Sequence, residues 1–157
     1  MSSDAITILK DDHKNVKRLF RDFRRTSSSR EKQSIARRAI KELTVHTYIE
    51  NEVLYPQIRR LLPDLEDDVL EAYEEHHVAD ILCAELEKMN AEDERFNAKF
   101  IVLIESVTHH IGEEEDNWFP KVREYLSRTQ LSEIGQQMQE LRPSAPQAPS
   151  ESASTDE

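Results

Sequence analysis

Apolar residues recur along most of this chain at alternating steps of three and four, the period of a helix that buries a single stripe. The first such run, Ile6, Leu9, His13, Val16, Phe20 and Phe23, predicts a helix capped by Ser3 or Asp4 and ending near Arg25. A hydroxyl-rich link, Thr26 to Ser29, separates it from a second helix, about 30–62, with its stripe through Ala36, Ala39, Leu43, His46, Glu50 and Val53. Pro56 lies inside that pattern and should kink the helix or end its regular part. A third helix, about 65–90, reads Leu70, Tyr73, His77, Asp80 or Ile81, then Ala84. A fourth, about 93–126, reads Phe96, Phe100, Leu103, Val107, His110, Glu114 and Trp118, with Pro120 placed as Pro56 is. Long helices joined by short links predict an all-α, antiparallel up-down-up-down four-helix bundle. A shorter fifth helix, about 130–141, presents Leu131, Ile134, Met138 and Leu141 and should lie across one end of the bundle.

Four histidines and two glutamates interrupt these apolar stripes, and they do so twice in the same way. His46 to Pro56, HTYIENEVLYP, aligns at an offset of 64 with His110 to Pro120, HIGEEEDNWFP. His46 meets His110, Glu50 meets Glu114, Tyr55 meets Phe119 and Pro56 meets Pro120; the same offset carries His13 onto His77. Residues four apart share a helix face, so each His-x-x-x-Glu pair points one way. Two such helices, each preceded by a helix with one more His, aim four imidazoles and two carboxylates at one point. An unpaired buried carboxylate costs several kcal/mol, and the stripes hold no Lys or Arg to neutralise either one. Two metal ions would. Mixed imidazole and carboxylate donors without thiolates exclude a cysteine-type zinc site and suit iron or manganese, the nitrogen-rich ratio favouring iron.

Composition narrows the reading. The chain has 157 residues, one domain's worth, with 34% charged residues and a net charge of -11, which argues against nucleic acid as a partner. No apolar run is long enough for a membrane span, and MSSDAITILKDDHK has no signal-peptide pattern. The lone Cys83 excludes an internal disulfide, reads as a small buried residue and fits a reducing cytoplasm. After Arg142 the sequence PSAPQAPSESASTDE cannot build a core. The expected division is a helical bundle over 1–142 and a disordered tail over 143–157. His76, His109, Glu113, Glu115 and Asp116 flank the candidate ligands and read as surface or outer-layer groups, and Trp118 as core.

The order His13, His46-x-x-x-Glu50, His77, His110-x-x-x-Glu114 resembles the hemerythrin-like proteins, the HHE cation-binding family, over about residues 4–126. The resemblance implies a four-helix bundle with a non-haem di-iron centre, the two Glu bridging the irons along with an oxo or hydroxo group. Two departures stand out. Oxygen carriers of the family have His-x-x-x-His on the third helix, where this chain has Tyr73-x-x-x-His77; they also place an Asp five residues after the fourth-helix His, where this chain has Glu114 at four. Tyr73 is then a candidate ligand, hydrogen-bond donor to bound oxygen, or packing residue. As an anionic ligand it would stabilise the ferric state and work against reversible oxygen carriage. The expected activity is therefore catalase-like decomposition of hydrogen peroxide, with Tyr73 tuning the irons. The alternative is dioxygen or nitric oxide binding or sensing, or iron storage and donation. Oligomeric state stays open.

Overall fold

The structure, a computed structural model, describes residues 4–149. Its elements are α1 (Ala5–Arg25), α2 (Ser29–Ile49), a π-helical turn (Glu50–Leu54), α3 (Tyr55–Leu61), α4 (Glu66–Glu87), α5 (Phe96–Glu113), a second π-helical turn (Glu114–Trp118), α6 (Phe119–Tyr125) and α7 (Arg128–Leu141). Antiparallel α1 and α2 pack together, as do α4 and α5, and the pairs meet through α2–α4, α3–α4 and α1–α5. This is the all-α bundle expected. Side chains close the first turn of three helices: Asp4 accepts from the Thr7 amide, Ser28 from Glu31, and Ser127 forms a capping box with Gln130.

The chain takes the same local form before both prolines. Pro56 and Pro120 cannot donate a backbone hydrogen bond, and a proline ring crowds the carbonyl four residues back. In each case the preceding turn widens: the Tyr55 amide bonds the Glu50 carbonyl and the Phe119 amide the Glu114 carbonyl, five residues back. The helix runs on past each proline as α3 and α6, as π-bulges allow. Each wide turn begins at the glutamate of a His-x-x-x-Glu pair.

One expectation fails. The buried stripe of α4 runs Val69, Ala72, His76, Ala79, Cys83 and Leu86, one residue out of phase with the expected stripe. Leu70 and Ile81, expected inside, are 43% and 42% exposed. The expected face passes through Asp80 or its neighbour, whereas the observed face buries no carboxylate, and small Ala72, Ala79 and Cys83 fit against the other helices. Avoiding a buried charge outweighs burying the two larger side chains.

The core has two apolar halves. One gathers Phe20, Phe23, Leu43, Leu86, Phe96 and Phe100 towards the α1–α2 link; the other gathers Ile6, Leu9, Tyr55, Trp118 and Phe119 with Leu131 and Met138 of α7. α7 lies against α1 and the first π turn rather than simply across the bundle end. Of the expected tail, residues 143–149 are described and Ala145 is buried, so that stretch packs; residues 150–157 lie outside the described residues. Among the described residues no helix is long and apolar enough to cross a membrane.

Phe100 is fully buried, with its ring centroid 4.1 Å from that of Phe23. Phe100→Ala should cost about 3–5 kcal/mol of stability, read from denaturant unfolding of the purified protein.

Candidate metal centre

Between the two apolar halves lies a polar layer made by all four long helices. His13 comes from α1, His46 from α2, Glu50 and Glu114 from the two π turns, His76 from α4 and His110 from α5. Both glutamates are 0% exposed. Glu50 Oε1 lies 3.0 Å from His46 Nε2 and 3.2 Å from His76 Nε2. Glu114 Oε1 lies 2.9 Å from His110 Nε2 and 3.6 Å from His13 Nε2. Each carboxylate therefore stands between one imidazole of the His13–His46 pair and one of the His76–His110 pair.

Ligand atoms of His13, His46, Glu50 and Glu114 converge within 4.8 Å of one another, as do those of Glu50, His76 and His110. Among the described residues, five buried atoms here make no aligned hydrogen bond despite these close approaches: His13 Nε2, His46 Nε2, both Glu50 oxygens and Glu114 Oε1. Buried polar atoms are nearly always paired. Orphaned lone pairs gathered at one point fit bound metal of the kind that nitrogen and oxygen donors hold.

The outward face of each imidazole is held. His46 Nδ1 lies 3.0 Å from Asp12 Oδ2, His110 Nδ1 3.0 Å from Glu75 Oε1, His76 Nδ1 2.7 Å from Asn51 Oδ1 and His13 Nδ1 2.6 Å from Glu115 Oε2. An oxygen acceptor at Nδ1 keeps the proton there and turns the Nε2 lone pair inward, which orients a ligand and raises its basicity. The four holders are themselves paired by the repeat: Asn51 and Glu115 are 64 residues apart, Asp12 and Glu75 63.

The centre corrects two expectations. His77 is exposed and outside the cluster; its neighbour His76, 3% exposed, takes the place, because the buried face of α4 is turned by about 100°. Tyr73 is half-buried, and its hydroxyl donates to the Asn51 carbonyl at 3.4 Å, away from the cluster. The phenol at the centre belongs to Tyr55. Its Oη lies 3.1 Å from His76 Nε2, 3.3 Å from His110 Nε2 and 3.4 Å from Glu114 Oε2. Its counterpart in the repeat, Phe119, stacks on His13. Glu115, read as a surface or outer-layer group rather than a ligand, holds His13 from outside. His13, His46, Glu50, His110 and Glu114 do converge as the repeat predicts; His109 is exposed, and Trp118 and Cys83 are buried. Burial pushes the Cys83 thiol up, so it is an inert neutral group.

A sequence profile described as the hemerythrin HHE cation binding domain matches residues 4–122. The chain belongs to that family. A DNA nickase of Nostoc sp. is 27% identical over 126 residues, which are 80% of this chain and 35% of that protein; the chain thus spans about a third of the relative's length. A crystal structure of a hemerythrin HHE cation binding domain-containing protein from Mycobacterium kansasii superposes with a TM-score of 0.75 at 20% identity, covering 90% of this chain and 86% of that one. That likeness shows a shared fold.

The charges inside the layer explain how it behaves without metal. Burial opposes the His46 imidazolium, but Glu50 and Asp12 outweigh it and raise the group to about 10. Burial likewise opposes His110, and Glu114 and Glu75 raise it well above its usual range. Burial alone would raise Glu50; the His46 charge holds it well below. His76 is lowered, chiefly by burial. Protons on His46 and His110 thus occupy the place of cations.

Two outcomes follow. His76→Ala should weaken metal binding by more than the about 10–100-fold that loss of an outer hydrogen-bond partner costs, while His77→Ala leaves it unchanged, as counted by elemental analysis after dialysis. In the metal-free protein, stability from His46 is full below its ordinary 6.5 and is lost as pH rises towards about 10; stability from Glu50 is present above its ordinary 4.5 and lost below it. Melting temperature should therefore fall on the alkaline side of neutrality in the metal-free protein, and the slope should flatten when a cation replaces the proton.

Proposed function

We propose that this protein holds two iron ions between His13, His46, Glu50, His76, His110 and Glu114 and decomposes hydrogen peroxide. The observation that carries the reading is the Tyr55 phenol within 3.1–3.4 Å of two of the imidazoles and one of the carboxylates. Iron supplies the electron transfer when bound. Two peroxides give one dioxygen and two waters, so no outside reductant is required. The shell is otherwise neutral imidazoles and two carboxylates, so an anionic phenolate added to it favours the ferric state and disfavours reversible oxygen carriage. This is the role expected of Tyr73, carried over to the phenol that stands at the centre. Metal-free, burial and the Glu114 and Glu50 carboxylates push the Tyr55 hydroxyl well above its usual range, so it stands there as a donor.

Phe119 and Trp118 close the centre on the Tyr55 side, both buried. On the other side lies a cavity of about 20 Å³ against His13, His46, His76 and His110, walled by Val16, Leu43 and other apolar side chains. That volume takes a molecule about the size of one water. A second reading, capture of dioxygen or nitric oxide without turnover, draws on the apolar character of these walls. The DNA named for the Nostoc relative does not enter this reading, because a net charge of -11 repels phosphate. The lone, buried Cys83 suits a reducing compartment such as the cytoplasm.

Iron-loaded protein given hydrogen peroxide in an oxygen electrode should evolve dioxygen over many turnovers. Tyr55→Phe should lower the rate by about tenfold or more, the scale of losing a partner beside a metal ligand. Tyr73→Phe should leave it unchanged. No evolution from a fully loaded centre would replace the peroxide reading with gas capture.

A further inference from the structure

The cavity beside the centre has twelve lining residues, and ten of them are buried. The two that are not, Glu75 on α4 and Ser106 on α5, lie on adjacent helices. The α1–α5 side is shut by buried Val16, Phe20, Val107 and Ile111, which separate the cavity from the basic surface groove at Lys17, Arg21 and Arg24. The way in is thus the seam between α4 and α5.

Charge at that seam has one dominant sign. Between Glu66 and Glu87, α4 carries nine acidic residues and no Lys or Arg. The carboxylate of Glu75 itself is 23% exposed. Beside Ser106 on α5 is Glu105, exposed, and the exposed His109 has Glu75 at 4.0 Å and Glu113 at 3.9 Å. Lys99, the one Lys or Arg on α5, is ion-paired with Glu85. The opposite face is different: α1 carries seven basic residues against three acidic ones.

We propose that the α4–α5 seam at Glu75 and Ser106 is the mouth of the metal centre, and that its negative charge admits cations and small neutral molecules while excluding small anions. This rests on the metal-centre reading and adds a substrate class to it. Neutral hydrogen peroxide, dioxygen and nitric oxide pass; superoxide, nitrite and azide are slowed. The same field draws a ferrous ion towards the centre during loading. A narrow mouth in a low-dielectric wall focuses the field of a few charges, which is the condition under which steering changes association rates. Glu75 then acts twice, orienting His110 through Nδ1 and setting the charge of the entrance.

Ser106→Lys in the full chain tests this, with Ser106→Gln as a neutral side chain of similar length. Ser106 is half-exposed, so either side chain can extend outward. Two rates are read by stopped flow: azide binding to the iron-loaded protein, from its absorption band, and ferrous ion uptake by the metal-free protein. Relative to Gln, Lys should speed azide by about threefold to tenfold and slow ferrous uptake by a similar factor, with both differences shrinking at high salt. A folding defect or simple blockage would slow both rates together. Equal rates for Lys and Gln in both assays would overturn the proposal. If azide gives no band, the centre has no open position and the peroxide reading fails, while the uptake rate still decides the mouth.

Discussion

Two carboxylates with no exposure to water, Glu50 and Glu114, are the constraint around which this bundle is built. Removing such a charge from water costs several kcal/mol, which is recovered only if opposite charge or well-placed donors surround it. Here each carboxylate meets two imidazoles, one from each half of the bundle. The imidazoles are steered by Asp12, Glu75, Asn51 and Glu115, so the polar layer reaches from the centre to the surface on every long helix. The apolar halves above and below keep water away and the ligands fixed. Family membership, convergent donors and orphaned lone pairs all point to cations at this place.

The repeat makes the His13–His46 and His76–His110 sides of the layer similar, and the differences within it make them unequal. Tyr55 faces the His76–His110 position, and Phe119 the His13–His46 position. Asp12, behind His46, is also gripped by Arg142 at 3.1 Å, which ties the segment after α7 to the centre. Glu75, behind His110, looks instead towards solvent and exposed His109. One side is clamped through Asp12 by Arg142; the other carries the Tyr55 phenol and the part-exposed Glu75.

Most of this was legible in the chain. The three-and-four spacing fixed the long helices; the doubled His-x-x-x-Glu gave four of the six converging residues, and His13 on the stripe of the first helix a fifth. The sixth went wrong for a physical reason. On α4 two adjacent faces each carry apolar residues, and an offset of 64 favoured His77; the Asp12-His13 and Glu75-His76 pairs repeat at 63 instead. A stripe of Val69, Ala72, Ala79, Cys83 and Leu86 that avoids every carboxylate was the signal that would have found His76. Tyr55 was hidden by the π turn. Five residues beyond Glu50, it would lie well off the ligand face of a regular helix, and the extra residue in the wide turn brings it round. Tyr73 shares the solvent-side phase error of His77. The packing of residues 143–149 had no signal in a stretch so rich in Pro and Ser.

The central claim is that the buried charge is there to hold two ions, and their number can be counted directly. Anaerobic titration of the metal-free protein with ferrous ion, followed by calorimetry and by elemental analysis of the product, should reach an endpoint of two ions per chain. An endpoint of one, or no binding above that of a protein lacking Glu50 and Glu114, would contradict the account.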